Sequence, residues 1–193
     1  MRAFVFTLLT CAALVMTGLT GCGKDRTGGP RGTPDAVVTG ATDATFRAGR
    51  ADVQAATADT TSSGWVDLAR RQAHVTLAGR DPGGAPVLLR DPLLAVELLR
   101  GATQIEEYGG AEVRGASTIR YQFEVDPKRA SVGPLVVGLT RATFYADAWI
   151  DSAGRVRQVV VPLNISETRP VRRSSRVPAA ITVQFFDYAQ EGR

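Results

Sequence analysis

One histidine, His74, and two cysteines, Cys11 and Cys22, hold all the imidazole and thiol chemistry available in 193 residues. A serine–histidine–acid triad has to use His74, and a structural zinc site needs more such ligands than the chain carries. Ala73, Val75 and Leu77 alternate out of phase with His74, which places the imidazole on the wet face of a strand. No G-x-S-x-G turn accompanies it. Two carboxylate pairs offer acid–base chemistry, Glu106/Glu107 and Asp147/Asp151. The second pair sits four residues apart on one strand, about 13 Å at ~3.3 Å per residue. That separation exceeds what glycoside hydrolysis uses, and Asp151 fits the first position of a turn. There is no glycine-rich phosphate loop, no dinucleotide fingerprint and no metal-ligand spacing. The sequence therefore reads as a non-enzyme that calls for neither metal nor cofactor.

Cys22 has a different chemistry. Residues 3–15 are an almost unbroken apolar run behind Arg2, followed by Leu19-Thr20-Gly21-Cys22. A basic start, a short apolar stretch and small residues before a cut site describe a secretory signal peptide, and the run is short for a membrane span of ~20 residues. The last four residues match the lipobox of bacterial lipoprotein signal peptides. That resemblance implies diacylglycerol transfer to the Cys22 thiol and cleavage before it, so residues 1–21 are a leader. Two acyl chains anchor a protein stably to a membrane, here the extracytoplasmic face of the cell membrane. Once Cys22 is acylated no free thiol remains.

Residues 22–34 read CGKDRTGGPRGTP, a flexible tether with nothing apolar to pack. Residues 35–193 show neither repeat nor second linker and are expected to form one domain. The formal charge of +4 is too small to argue for nucleic acid. At 44% apolar and 22% charged residues the chain has the balance of a globular protein.

The elements follow from periodicity. Residues 117–126 alternate cleanly, with Ile119, Tyr121, Phe123 and Val125 on one face. Residues 143–150 and 156–163 flank Asp151-Ser152-Ala153-Gly154, a hairpin with glycine at a left-handed position. Residues 45–53, 64–69, 72–78 and 180–188 complete about seven antiparallel strands. Asp91, Pro92 and Gly101 frame a helix over 91–101; its leucines leave it apolar nearly all round. Residues 134–141 form a second candidate helix, and Thr33-Pro34-Asp35 starts a short third one. Helices inserted between groups of antiparallel strands make an α+β fold.

The remaining signal is apolar. Phe46, Trp65, Tyr121, Phe123 and either Phe144 or Trp149 face leucine-rich helices. Sheet and helices either pack solidly or leave a gap for a greasy ligand. Arg169, Arg172, Arg173 and Arg176 form a basic surface patch, either a solvated loop or a contact for lipid phosphate or an acidic partner.

The succession of short segments resembles the actinobacterial lipoproteins of the LppX/LprA/LprF/LprG group and the wider LolA/LolB-like fold. It runs through the lipobox, Gly64-Trp65-Val66-Asp67-Leu68, and Asp91-Pro92-Leu93-Leu94 with Leu98-Leu99. It continues in Gly115-Ala116-Ser117-Thr118-Ile119-Arg120-Tyr121 leading to Val125-Asp126. It ends with Ala148-Trp149-Ile150-Asp151 followed by Gly154-Arg155-Val156-Arg157. The resemblance implies a half-barrel of about seven antiparallel strands closed on its concave side by helices, with acyl chains of lipids or glycolipids held between in several members. It supplies no catalytic residues. On this basis Phe46, Trp65, Leu94, Leu98, Tyr121, Phe123, Leu135, Leu139 and Trp149 are the cavity candidates. The ligand is an acyl lipid or glycolipid, and the alternative is a tethered module with a solid core that binds an envelope protein.

Overall fold

The computed structural model describes residues 30–79, 85–126, 128–130, 143–163 and 180–189. The lipobox with Cys22, most of the tether, the 134–141 segment with Leu135 and Leu139, and the arginine patch over 169–176 lie outside them.

Helix α1 runs Pro34–Phe46. Thr33 accepts the Ala36 amide with its side chain at 3.4 Å and Pro34 opens the first turn, the start grammar visible in the sequence. The helix is longer than expected and takes in Thr45 and Phe46, which alternation had assigned to a strand. Its buried residues are Val37, Val38, Ala41, Thr42, Thr45 and Phe46, a stripe at helical spacing.

Eight strands follow, one more than the sequence showed: β1 Arg50–Ala56, β2 Thr60–Asp67, β3 Gln72–Gly79, β4 Ala102–Val113, β5 Ala116–Val125, β6 Phe144–Asp151, β7 Val156–Pro162 and β8 Ala180–Phe186. They form one open sheet in the order β3-β2-β1-β8-β7-β6-β5-β4. Every neighbouring pair is antiparallel. The α+β class with an antiparallel sheet under helices is the observed architecture. The added strand is β4, an edge strand exposed along most of its length, so it carries no apolar alternation to read.

The expected helix over 91–101 is broken into shorter pieces. One turn, α2 (Val87–Arg90), precedes it. Then come α3 (Leu93–Glu97) and a 3-10 turn over Leu98–Gly101. The Asp91 side chain does accept the Leu93 amide at 3.2 Å. The helix tightens and stops because Gly101 lies against its neighbours: a Cβ there would meet the Asp126 carbonyl oxygen at 2.6 Å and Ala130 at 2.8 Å. Leu88, Leu89, Leu93, Ala95, Val96, Leu98 and Leu99 are all buried, as an all-round apolar segment requires.

These short helices and α1 cover one face of the sheet. Helix α2 packs on β1, β2, β3 and β8, α3 on β7, and α1 on β4 and β7. A charged clasp ties them together at the rim. Arg100 bonds Asp43 and Glu97, and Arg71 bonds Glu97, each at 2.8 Å. These rim pairs are partly solvated and each contributes at most ~1 kcal/mol.

Candidate functional site

The helix-covered face of the sheet is the candidate site. Strand alternation sends Ala51, Val53 and Ala55 of β1, Ile181, Val183 and Phe185 of β8, and Phe144, Ala146, Ala148 and Ile150 of β6 toward the helices, all buried. Tyr121, Phe123 and Val125 of β5 do the same. From β2 to β5 none of the buried inward positions carries a charge. Such a surface has no means of solvating an ionic group and every means of excluding water from a hydrocarbon.

The predicted site residues divide by face. Leu98, Tyr121 and Phe123 are almost wholly buried inside. Phe46 closes the site from the end of α1, with the Arg71 guanidinium 4.5 Å above its ring. Leu94 is only half-buried, packed against the core from the helix side.

The two tryptophans are corrected. Trp65 shares its parity with Ser63 and Asp67 while Val66 points inward, so it lies on the opposite, outer face. Its ring stacks on His74 at 3.9 Å between centroids, and Arg50 sits 4.3 Å from its centroid. Trp149 shares its parity with Tyr145 and Asp147, and Arg120 lies 5.4 Å from its ring. Phe144 is the inward aromatic of β6. Both tryptophans therefore lie off the inner face expected for them, and cation–π partners stabilise them on the outer one.

Most of the chemistry-bearing residues are engaged in local contacts. His74 is exposed beside Trp65. Asp147 accepts two bonds from Arg120, at 3.0 and 2.9 Å; burial pushes its carboxyl up from the ordinary range and Arg120 opposes that. Asp151 opens the β6–β7 turn as its position predicted. It accepts the Ala153 and Arg155 amides at 2.9 Å and the Arg155 and Arg157 guanidiniums at 3.0 and 2.7 Å. Gly154 in that turn has φ of 77°, the left-handed position expected. Glu106 accepts from the Tyr108 hydroxyl. Among the described residues no three His, Cys, Asp or Glu side chains are placed to hold a metal, and no helix there is long and apolar enough to cross a membrane.

The outer face carries a contact that periodicity gave no sign of. The β4–β5 hairpin bends over it. Register shifts at Thr103/Glu106 and Glu107/Gly109 bend β4. The pairing of Val113 with Ala116, and of Ala111 with Thr118, turns Val113 and Thr118 outward, yet both are buried. At the tip, Arg114 lies 3.9 Å above the Phe186 ring, donates to Gln184 at 2.8 Å and bonds Gln54. Gln184 in turn donates to Gln158 at 2.7 Å.

No protein-family model matches the chain, and no curated protein matches it. Among solved structures, the Mycobacterium tuberculosis lipoprotein LppX aligns with a TM-score of 0.54 at 13% identity, covering 83% of this chain and 97% of LppX. LprF from Mycobacterium bovis aligns at 0.49 and 11% identity, over 85% of this chain and 96% of LprF. The chain thus shares the fold of LppX.

Proposed function

We propose that this protein is a lipoprotein, anchored through Cys22 to the extracytoplasmic face of the cell membrane. It binds an acyl lipid or glycolipid between sheet and helices for transport or presentation in the envelope. The observation that carries this reading is the uncharged inner face, covered by α1 and the short helices α2 and α3. The likeness to LppX, itself described as a lipoprotein, supports the anchoring half, and the lipobox residues 19–22 supply its chemistry. Residues 1–21 are then the leader, 22–34 the tether and 35–193 the binding domain.

The driving force is removal of acyl chain from water, at ~25 cal/mol per Å² of apolar surface. Leu98, Tyr121 and Phe123 supply wall, with Leu94 and Phe46 at the rim; Leu135 and Leu139 belong to the same proposal. Trp65 and Trp149 do not, since they face outward.

The alternative, a tethered module that binds an envelope protein, draws on the Arg–aromatic pairs of the outer face; Arg169, Arg172, Arg173 and Arg176 belong to the same proposal. Transfer of a fluorescent phospholipid between two vesicle populations separates the readings. A carrier accelerates transfer in proportion to protein concentration, whereas a protein-binding module leaves the rate at its protein-free value. Cys22→Ser checks the anchor, by moving the protein from the membrane pellet to the soluble fraction.

A further inference from the structure

A continuous row of side chains crosses the inner face. Ser62 of β2 pairs with Ala55, Ala55 with Val183, Val183 with Val159, Val159 with Ala148 and Ala148 with Tyr121. Between Ser62 and Tyr121 every residue is alanine or valine, so only small side chains line the row, and a ligand that displaced its cover would find a shallow trough bounded by bulk. Leu77, paired with Ser62 on the edge strand β3, closes its other end.

Ser62 does not belong in a purely structural row. It is 1% exposed, and its hydroxyl is the one buried side-chain oxygen or nitrogen among the described residues that lacks a hydrogen-bond partner. Its cross-strand neighbours, Ala55 and Leu77, offer no side-chain acceptor. Alanine would fill the position without leaving a desolvated donor, and buried polar groups are normally paired. An unpaired hydroxyl at the end of an apolar trough is a donor waiting for an acceptor.

We infer that the trough from Ser62 to Tyr121 seats one acyl chain, with the Ser62 hydroxyl donating to the carbonyl oxygen of the ester that carries it. This rests on the lipid-binding reading and gives it a direction. Five strand spacings separate Ser62 from Tyr121, about 24 Å at ~4.8 Å each. One chain spanning half of a ~30 Å hydrocarbon core needs about 15 Å. The trough therefore holds a chain together with its ester. Ser62 stands one strand in from the β3 edge, so an ester there lets the headgroup leave past Leu77 into water, while the tail points inward to Tyr121.

The cover over Ser62 is suited to opening. Helix α2 packs on β1, β2 and β3 with Leu88 and Leu89 fully buried. It is a single turn, and no side chain caps its N-terminus, so little helical structure is lost when it lifts. Its two leucines cover the Ser62 end of the row, and the acyl chain enters there as they lift; α3, packed on β7, covers the row further in.

The test compares Ser62→Ala and Ser62→Thr with the unaltered full chain after delipidation. The probes are a pyrene-labelled long-chain ester and the pyrene-labelled alkane of equal length. Ser62→Ala is expected to weaken ester binding about fivefold, the worth of one net hydrogen bond, and to leave alkane binding unchanged. Ser62→Thr, which keeps the hydroxyl, should retain the preference for ester. Thermal melting no lower than that of the parent chain shows that Ser62→Ala is folded. Equal affinities of Ser62→Ala and the parent for the ester overturn the role of Ser62, as does an equal loss for ester and alkane. Failure of the unaltered chain to bind either probe overturns the lipid-binding reading itself, and this inference with it.

Discussion

Thr45, in the last turn of α1, accepts the backbone N–H of Val156, the first residue of β7, at 2.9 Å across 111 positions of sequence. The carbonyl of the same Val156 accepts from the buried Tyr188 hydroxyl. Both backbone groups of one residue are thus held by side chains, where the β6–β7 register shifts between Trp149 and Ile150 and a ladder bond is lost. Arg155 and Arg157 flank the Tyr188 ring at 4.8 and 4.7 Å and both bond Asp151. The helix, the turn and the tail after β8 are stitched at one point.

Thr45→Val keeps the shape and removes the acceptor. The Val156 amide is then buried without a partner, at a cost of about 1–3 kcal/mol. Thermal unfolding should show the loss, and Thr45→Ser should recover most of it. A melt of Thr45→Val equal to that of the parent would mean the amide finds another acceptor.

Arg114 and Gly115 make the β4–β5 turn with φ of 48° and 79°. A two-residue hairpin with both φ positive favours asparagine then glycine; arginine in the left-handed region costs about 1–2 kcal/mol. The contacts of its guanidinium with Gln184, Gln54 and Phe186 offset that. Arg114→Asn should leave the melting temperature nearly unchanged, because relief of turn strain balances the lost contacts. Amide exchange over residues 111–118 should accelerate as the tip leaves the outer face. Unchanged exchange would show that Val113 alone holds the hairpin down.

Gly64 lies where β2 and β3 approach closely. A Cβ there would meet the His74 carbonyl oxygen at 2.0 Å, and backbone cannot move aside cheaply. Gly64→Ala should destabilise by about 1–3 kcal/mol in chemical denaturation, although alanine in place of glycine inside a strand ordinarily stabilises it by about 0.5–1 kcal/mol.

Asp91 joins α2 to α3, and burial raises its pKa above the ordinary 3.8 despite the amide bond from Leu93. The folded state then holds the proton more tightly than the unfolded chain does. Ionised Asp91 opposes folding at neutral pH, and that opposition fades as pH falls through its raised value. Asp91→Asn retains an acceptor for the Leu93 amide. It should be more stable than the parent at pH 7, with the gain shrinking on acidification and gone below about pH 3.8. A gain independent of pH would place its origin elsewhere.

How far the sequence was legible depends on what each residue must satisfy. Thr33-Pro34 marked the start of α1 because capping is local. The end of α1 was hidden, since Thr45 and Phe46 continue into the alternation of β1 and only tertiary contact with Val156 decides between them. Strand β5 was plain because Tyr121, Phe123 and Val125 face a core while their neighbours face water. Strand β4 is invisible because most of its residues are exposed and register shifts at Thr103/Glu106 and Glu107/Gly109 break its period. The inward placing of Tyr121 and Phe123 follows from periodicity, whereas Leu98 sits in a helix apolar nearly all round and rests on the resemblance. Trp65 and Trp149 read as inward in the sequence but alternate with the buried Val66 and Ala148, and the arginines that cover them come from other strands. Ser62 carries no signal in the sequence: a serine in a strand announces nothing until its surroundings are known to be dry.

Native mass spectrometry of the full chain tests the central claim most directly. The protein is expressed in an actinobacterial host and purified without phospholipid-like detergent, and the same sample is extracted with organic solvent. The account predicts a near-stoichiometric mass increment, beyond that of the Cys22 anchor, which the extract identifies as an ester-linked acyl lipid. A mass equal to that of the anchored chain alone, unchanged after incubation with envelope lipids, would contradict it.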